Sequence, residues 1–521
     1  MMSREEHKPL SFSTTMRNPE RIASFLSCLE TFDGMVLTSD LIMRVVRKVI
    51  KKKLYKPMII GRTSNLNNIY LDEETTFNDE QINFIIENSP QDHKEKGFDY
   101  GWDSRFDTWY KIAKEFGFVY YNMNEPITLS QTGHMLINAY ENTDDEFNSG
   151  AVIQNVFLNA LIKYQTDNPF RRNLNKNRPV ILLLKVLKML KDDSEENGAG
   201  VFIKELPFLT CWPNFDTEEL YEYIKNFREV HHFSASDEIV YEHALQLLES
   251  NNRVRFKMKQ ILKEGVDDLI RKLRITGIFS LRGYGRFIDI NELELEKIDY
   301  VLENYSEYIE FSDEQSYFNY MGQIDPRIIA IETSSDFDLD SIRQEALRRF
   351  ANHYSSEEVH SELLKLQNNR ASQDDYLKHI ENPTRLEFLT SIALVQAYPN
   401  YDVRPNYNID DEGNPTMTAR GGMGDILVYD PQENAIVEVT LMRSREQAIV
   451  EIPAITRHLE DLQMEKEGEL CFSLFIAPLI HRDTTYMCEF TKHSRNLDIV
   501  TKTISEFIEQ ISSTEKISDF L

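Results

Sequence analysis

The sequence is poor in cysteine, in long apolar segments and in basic residues, and the first two shortages exclude whole classes of protein. Its four cysteines, at positions 28, 211, 471 and 488, form no CxxC pair. This pattern indicates reduced thiols in an intracellular protein and predicts no zinc site. The most apolar stretch, Pro179 to Leu190, is interrupted by Lys185 and Lys188 and is too short to cross a bilayer. The charged N-terminus has no secretory signal, so we expect no membrane association.

Basic residues are outnumbered, 58 Lys and Arg against 86 Asp and Glu, which gives a net charge of −28. Phosphate binding requires lysine and arginine, so the total argues against a nucleic-acid partner. The distribution argues otherwise, because Arg253 to Arg286 holds ten basic and three acidic residues. An acidic chain can carry such a basic face, although the block also fits solvated helix faces. The candidate phosphate contacts are Arg253, Arg255, Lys257, Lys259, Arg271, Arg274, Arg282 and Arg286.

At 521 residues the chain is long enough for several domains. One pattern of helix, glycine stop and hairpin occurs twice, at Phe106 to Ile137 and at Val266 to Ile290. This is the layout of a winged helix, which can bind DNA or dock on a protein. The stretch after Lys56 and up to Asp103 is rich in Asn, Asp and Glu and is predicted to be irregular.

The C-terminal part alternates helices and strands, and Asn382-Pro383 begins its first helix. The predicted elements that follow are a strand over 401–409, a hairpin, a helix over 444–466, a strand over 470–477, a helix over 484–492, a strand near 497–500 and a helix to 511. This order predicts an α/β domain with a mixed sheet. Glu387 lies in the first helix, where an acid is commonly a charge favoured by the helix dipole.

Two acids stand in the predicted hairpin. Asp425 opens one apolar run after a glycine-rich entry, Glu438 lies in the next run, and Pro431 to Asn434 supplies the turn. A hairpin can bring both carboxylates to one edge of a sheet, which would be a seat for a hard divalent cation.

Phosphodiester hydrolysis needs an activated water and a group that spreads charge on the phosphate, and carboxylate-bound Mg²⁺ can supply both. Thr440 stands two residues after Glu438, where a lysine is usual in such nucleases. Glu451 and His458 share one face of the following helix by spacing. His458 could position a water, although the commoner role of a lone histidine is structural.

The chain resembles the AlwI-like type IIS restriction endonucleases, a family that includes site-specific nicking enzymes. The resemblance covers about residues 383–478. It is carried by Glu-Phe-Leu at Glu387, Gly-x-x-Asp at Asp425, Val-Glu-Val-Thr at Glu438, Glu-Ile-Pro-Ala-Ile-Thr-Arg-His at 451–458 and Leu-Phe-Ile-Ala-Pro at 474–478. Thr440 belongs to this family's own version of the nuclease motif.

The resemblance implies a multidomain α+β fold. The expected parts are a mostly helical N-terminal recognition region with two winged-helix subdomains (1–150 and 151–305), a helical linker (306–378) and an α/β nuclease domain of the PD-(D/E)xK type (379–521). The expected metal ligands are Asp425 and Glu438, with Glu387 and Glu451 completing the shell and His458 as an accessory catalytic group. One or two Mg²⁺ ions would bind there.

The resemblance further implies a cytoplasmic bacterial or archaeal enzyme that cuts double-stranded DNA a few base pairs outside a short asymmetric site. One active site per chain cuts one strand, so double-strand cleavage would need a transient homodimer of nuclease domains or a second subunit. Two alternatives remain open. One is a strand-specific nicking endonuclease, and the other is a DNA-binding regulator whose nuclease-like domain is inactive.

Overall fold

The computed structural model describes residues 6–12, 16, 18–142, 148–194, 198 and 200–521. The described residues divide into two compact units. The first lies within Met1–Asn142 and Ala151–Ser334, and the second within Thr143–Gly150 and Ser335–Leu521. The four-part division at residues 150, 305 and 378 stays a prediction.

The first unit is mostly helical. Its helices are α1 (Glu20–Leu26), α2 (Ser39–Lys51), α3 (Met58–Arg62), α4 (Ser64–Leu71), α5 (Asp79–Glu87), α6 (Trp102–Glu115), α7 (Gln131–Glu141), α8 (Ser149–Lys163), α9 (Pro179–Asp192), α10 (Leu206–Cys211), α11 (Thr217–His231), α12 (Asp237–Leu247), α13 (Gly265–Arg274), α14 (Leu295–Tyr305), α15 (Glu314–Gly322) and α16 (Pro326–Ala330). Its strands are β1 (Val119–Tyr120), β2 (Thr128–Leu129), β3 (Val201–Phe202), β4 (Phe279–Arg282) and β5 (Phe287–Ile290). α8 begins in the two residues that the division assigns to the second unit.

Both predicted helix–hairpin patterns form. α6 is followed by the antiparallel pair β1 and β2, and α13 by the antiparallel pair β4 and β5. β3 joins the second hairpin to make a three-stranded sheet in the order β3-β5-β4. The helix and hairpin elements are thus confirmed, and their assignment as winged helices stays a prediction.

The prediction that the segment before residue 103 is irregular was wrong, because α3, α4 and α5 lie there. α5 shows why the composition was misleading. Asn78 Oδ1 caps it by accepting from the Gln81 N–H, and Gln81 Oε1 accepts from the Asn78 N–H. Polar residues that resemble a loop in the sequence are here the capping box of a helix.

The second unit contains helices and a mixed sheet. Its helices are α17 (Leu339–His353), α18 (Ser356–Gln367), α19 (Asn382–Ala397), α20 (Ile452–Glu465), α21 (Arg482–Arg495) and α22 (Ile504–Ile511). Its strands are β6 (Asp402–Pro405), β7 (Tyr407–Ile409), β8 (Pro415–Ala419), β9 (Ile426–Tyr429), β10 (Glu433–Val439), β11 (Leu470–Ala477) and β12 (Ile499–Thr503).

Five of these strands form one sheet in the order β12-β11-β10-β9-β6. The central strand β10 runs parallel to β11 and antiparallel to β9, so the sheet is mixed, as the sequence predicted. α20 covers this sheet. Its buried residues Ile452, Ile455 and Leu459 belong to one apolar cluster with Ile436 of β10 and Phe475 of β11.

The strand predicted over 401–409 is two strands that belong to different sheets. β6 is an edge of the five-stranded sheet, whereas β7 pairs with β8. β6 ends at Pro405, which lacks the N–H needed to continue a ladder. The β7–β8 hairpin brings the N–H of Ala419 to Glu387, to which it donates a hydrogen bond (3.0 Å).

Candidate active site

Glu387 is buried on α19, with 4% of its surface exposed. The whole stretch from Thr384 to Leu394 is buried, so this helix has no solvated side over that stretch. One oxygen of Glu387, Oε2, accepts a hydrogen bond from the backbone N–H of Ala419 at the end of β8 (3.0 Å). A buried carboxylate held by another element differs from the exposed first-turn charge that a helix dipole favours.

Asp425 and Glu438 meet at the open end of the β9–β10 hairpin, and each is held by the backbone of the other strand. The N–H of Asp425 donates to Glu438 Oε2 (3.2 Å), and the N–H of Val439 donates to Asp425 Oδ2 (2.8 Å). Gly424 allows this close approach, since a Cβ there would lie 2.5 Å from Ile436 Cγ2 and 3.3 Å from Glu438 Oε1. The hairpin geometry predicted for these two acids is confirmed.

His458 lies on α20, which packs under β10. Its Nδ1 is 2.8 Å from Glu438 Oε1, and both side chains are about nine-tenths buried. With a proton on Nδ1 the imidazole donates to the carboxylate, which fixes the ring orientation. Both oxygens of Glu438 therefore have partners, one on α20 and one at Asp425.

Glu451 is the last residue of a π-helical turn, Gln447–Glu451, that leads directly into α20. Such turns are frequent at functional sites. The fully buried Gln447 holds this turn through four hydrogen bonds. Its Nε2 donates to the carbonyls of Met442 (2.7 Å) and Leu479 (2.8 Å), and its Oε1 accepts from the N–H of His481 and the hydroxyl of Thr484 (both 3.0 Å).

The pKa values of Asp425 and Glu387 are raised by burial and by the charges of neighbouring acids. Burial raises the pKa of Asp425 well above its ordinary value, and the charges of Glu387, Glu438 and Glu451 raise it further. Burial also raises the pKa of Glu387 to about 8, with Glu438 adding to the rise and the N–H of Ala419 opposing it. A like charge raises the pKa of a carboxyl appreciably only when the two groups are close and poorly solvated. The charges of Glu387, Glu438 and Glu451 therefore act on Asp425, and we call these four residues the acidic cluster.

The donor chemistry of the acidic cluster fits a hard divalent cation, which prefers carboxylate oxygens. Within the described part of the chain, however, no three or more His, Cys, Asp or Glu side chains stand in an arrangement that could hold a metal ion. Several oxygens are instead committed to the hydrogen bonds just described. Coordination would require these side chains to turn toward a common point.

The eight basic residues proposed as phosphate contacts fall into two groups. Arg253, Arg255, Lys259, Arg271 and Arg282 form ion pairs with Glu238, Glu6, Glu264, Asp267 and Asp289, respectively. Lys257 and Arg286 are exposed and have no acidic partner among the residues described, and Arg274 is half-buried. Arg286 stands at the tip of the β4–β5 hairpin, where its Nε donates to the Gly283 carbonyl (3.2 Å).

Sequence reasoning missed Ala419 and Gln447. The segment Asp410 to Pro415 contains Asp, Gly, Asn and Pro, a turn composition that could have indicated the β7–β8 hairpin and hence Ala419. Gln447 carries no such signal. Its four partners come from three separate loop or helix positions that only the folded chain brings together.

The family model of the AlwI restriction endonuclease matches residues 114–382 and 329–510. The chain belongs to this family. Membership makes it a restriction endonuclease, a DNA nuclease and hence a hydrolase. No curated protein matches the chain. None of the described helices is both long and apolar enough to cross a membrane.

Solved structures of restriction endonucleases are similar to the chain, including the following three. The small subunit of the heterodimeric restriction endonuclease R.BspD6I is 22% identical, with a TM-score of 0.25, and the match covers 29% of this chain and 76% of that subunit. Restriction endonuclease FokI is 13% identical, with a TM-score of 0.25, over 99% of this chain and 97% of that one. FokI bound to DNA is 12% identical, with a TM-score of 0.24 and the same coverage. TM-scores this low do not support a conclusion about function, so membership of the family rests on the family model.

Proposed function

We propose that this restriction endonuclease is of type IIS. It would hydrolyse DNA phosphodiester bonds a few base pairs outside a short asymmetric site and use Mg²⁺ bound at the acidic cluster. The supporting observation is that Asp425 and Glu438 are held together at the end of the β9–β10 hairpin, with the charges of Glu387 and Glu451 acting on Asp425, in a chain of this family.

The roles of the acids follow from their positions. Asp425 and Glu438 stand at the hairpin end and are assigned as direct ligands, and Glu387 and Glu451 would complete the shell. When bound, the cation would activate a water and stabilise charge on the attacked phosphate. Release of the Ala419 and Val439 hydrogen bonds would free oxygens of Glu387 and Asp425 to turn toward the ion.

His458 acts next to the metal ligands. Its Nδ1 is occupied by Glu438 and its Nε2 is buried, so proton exchange through Nε2 would require a water to enter the site. The Thr440 hydroxyl accepts a hydrogen bond from the N–H of Met442 (3.2 Å) within the same turn, and we assign it no proton-transfer role. We assign His458 as the accessory group that positions or deprotonates the attacking water.

DNA binding is assigned to the first unit, where two helix–hairpin patterns match the winged-helix layout. Lys257 and Arg286 are the preferred phosphate contacts of the basic block, because their charges are not paired with acids among the residues described. The ion-paired residues Arg253, Arg255, Lys259, Arg271 and Arg282 become second choices, since each would have to leave a carboxylate before it bound a phosphate.

A plasmid cleavage assay with the full chain and Mg²⁺ tests the proposal. One acidic cluster per chain serves one strand, so a linear product would indicate pairing of two nuclease units or a second subunit. A nicked circle as the only product would favour the nicking alternative. A gel shift without cleavage would favour the non-catalytic regulator and would contradict the proposal. Run-off sequencing of the products gives the site, the cut offset and the strand preference together.

A further inference from the structure

Tyr407 is an unusual buried residue next to the acidic cluster. It lies on β7 and is fully buried, yet its hydroxyl has no hydrogen-bond partner among the residues described. Its ring packs edge-on against Phe388, the neighbour of Glu387, with 5.9 Å between the ring centroids. An unpaired buried hydroxyl is unfavourable, and phenylalanine would fill the same space without it. The apolar core therefore gives no reason for a tyrosine at this position.

Tyr407 is linked to Glu387 through the β7–β8 hairpin, because it pairs with Ala419, whose N–H donates to Glu387 Oε2 (3.0 Å). Burial raises the pKa of Tyr407, the guanidinium of Arg343 opposes the rise, and the charge on Glu387 adds to it. Arg343 is held in place, because its Nε donates to the backbone carbonyl of Tyr407 (3.0 Å). The ring of Tyr407 therefore lies within electrostatic reach of both Arg343 and the Glu387 carboxylate.

A second unpaired hydroxyl belongs to Thr390, three residues after Glu387 on the same face of α19. Thr390 is fully buried and its Oγ1 has no partner among the described residues. A buried hydroxyl in a helix commonly bonds to a carbonyl of the preceding turn. The neighbouring Ser391 does so, with its Oγ donating to the Glu387 carbonyl (2.7 Å). Two hydroxyls without a partner among the described residues thus belong to elements that adjoin Glu387, one on β7 and one on α19.

We propose that Tyr407 is a positioning residue for Glu387. Its hydroxyl would donate to the Glu387 carboxylate when that group turns from Ala419 toward the cation, and Thr390 would be a second donor. Such outer hydrogen bonds fix the orientation of a ligating carboxylate and increase metal affinity. The inference rests on the proposed function, since it assumes that Glu387 serves a divalent cation.

The test is Tyr407→Phe in the full chain, with Mg²⁺ titrated by calorimetry and the melting temperature measured in EDTA. We expect Mg²⁺ affinity to fall by about 10-fold. The melting temperature without metal should stay equal or rise by about 2 °C, because the unpaired hydroxyl is gone. Thr390→Val should shift both quantities in the same directions by a smaller amount.

Tyr398→Phe is the matched control. Tyr398 is also buried, at the end of the same helix, but its hydroxyl has a partner, Thr514 Oγ1, at 2.6 Å. This variant should lower the melting temperature and leave Mg²⁺ affinity unchanged. The inference is overturned if Tyr407→Phe behaves like this control, or if its Mg²⁺ affinity equals that of the wild type. If the wild type itself neither binds Mg²⁺ nor cleaves DNA, the proposed function is refuted, and the inference on Tyr407 is refuted with it.

Discussion

Replacement of Glu387 by glutamine should stabilise the metal-free protein while it impairs the enzyme. The pKa of Glu387 is raised from 4.5 to about 8 in the folded protein. At pH 7 such a rise corresponds to a destabilisation on the order of 3 kcal/mol relative to an unperturbed glutamate. Glutamine removes this destabilisation, because it carries no charge, and it keeps an oxygen for the N–H of Ala419. Its new NH₂ group costs about 1–2 kcal/mol in lost hydration, so we expect a net gain of about 1–2 kcal/mol.

The destabilisation caused by Glu387 should increase as the pH rises. The folded-state pKa of Glu387 is above its unfolded value, so the protonated carboxyl contributes no penalty below pH 4.5. The penalty grows as the pH rises from 4.5 to about 8 and is constant above it. The melting temperature of Glu387→Gln should therefore exceed that of the wild type by about 3–6 °C at pH 7. At pH 5 the penalty on the wild type is smaller than the cost of the new NH₂ group, so the difference should vanish or reverse sign.

Calorimetry in EDTA at pH 5, 7 and 8 measures this difference, and titration with Mg²⁺ provides the counter-experiment. Added Mg²⁺ should stabilise the wild type more than Glu387→Gln, because the cation relieves the repulsion that the substitution has already removed. A variant that is less stable at every pH, or a difference that does not change with pH, would refute the picture of Glu387 as a buried acid under repulsion.

Three further substitutions separate the parts of the account. His458→Asn should lower the cleavage rate about 10- to 100-fold and leave DNA binding unchanged in gel shifts; an unchanged rate would assign His458 a purely structural bond to Glu438. Gln447→Leu should lower stability by about 3–5 kcal/mol in calorimetry, since four backbone or hydroxyl partners lose their bonds; a loss below about 1 kcal/mol would contradict the role of Gln447 in holding the π-helical turn. Arg286→Ala should weaken DNA binding and reduce by about 1 the slope of the logarithm of the binding constant against the logarithm of salt concentration. The control Arg271→Ala should have little effect, because Arg271 is paired with Asp267. Equal effects of the two substitutions would contradict the preference for unpaired cations.

Strong local patterns were predictable from the sequence. β11 has the predicted bounds, Leu470–Ala477, because a long apolar run between turn residues has few alternative structures. The β9–β10 hairpin follows from its turn residues, and this local pairing was enough to bring Asp425 to Glu438. The mixed sheet follows from the order of helices and strands in the second unit.

Tertiary contacts were not predictable in the same way. Glu387 has the sequence environment of a dipole-stabilised charge, and only the approach of β8 shows that it is buried and held by Ala419. The basic block posed the same difficulty, since a sequence records the charge of Arg253 but not its ion pair with Glu238. The role of Glu387 could be inferred only from the family resemblance.

The central claim is that the acidic cluster of the second unit cleaves DNA with the help of a divalent cation. The most direct test is Mg²⁺-dependent cleavage of a plasmid by Asp425→Asn, with Glu438→Gln as its partner and gel shifts as the binding control. Asparagine keeps an oxygen for the N–H of Val439 and removes the charge, so the fold and DNA binding should persist. We expect cleavage to be lost in both variants while DNA is still bound. Cleavage by either variant at the rate of the wild type would contradict the claim.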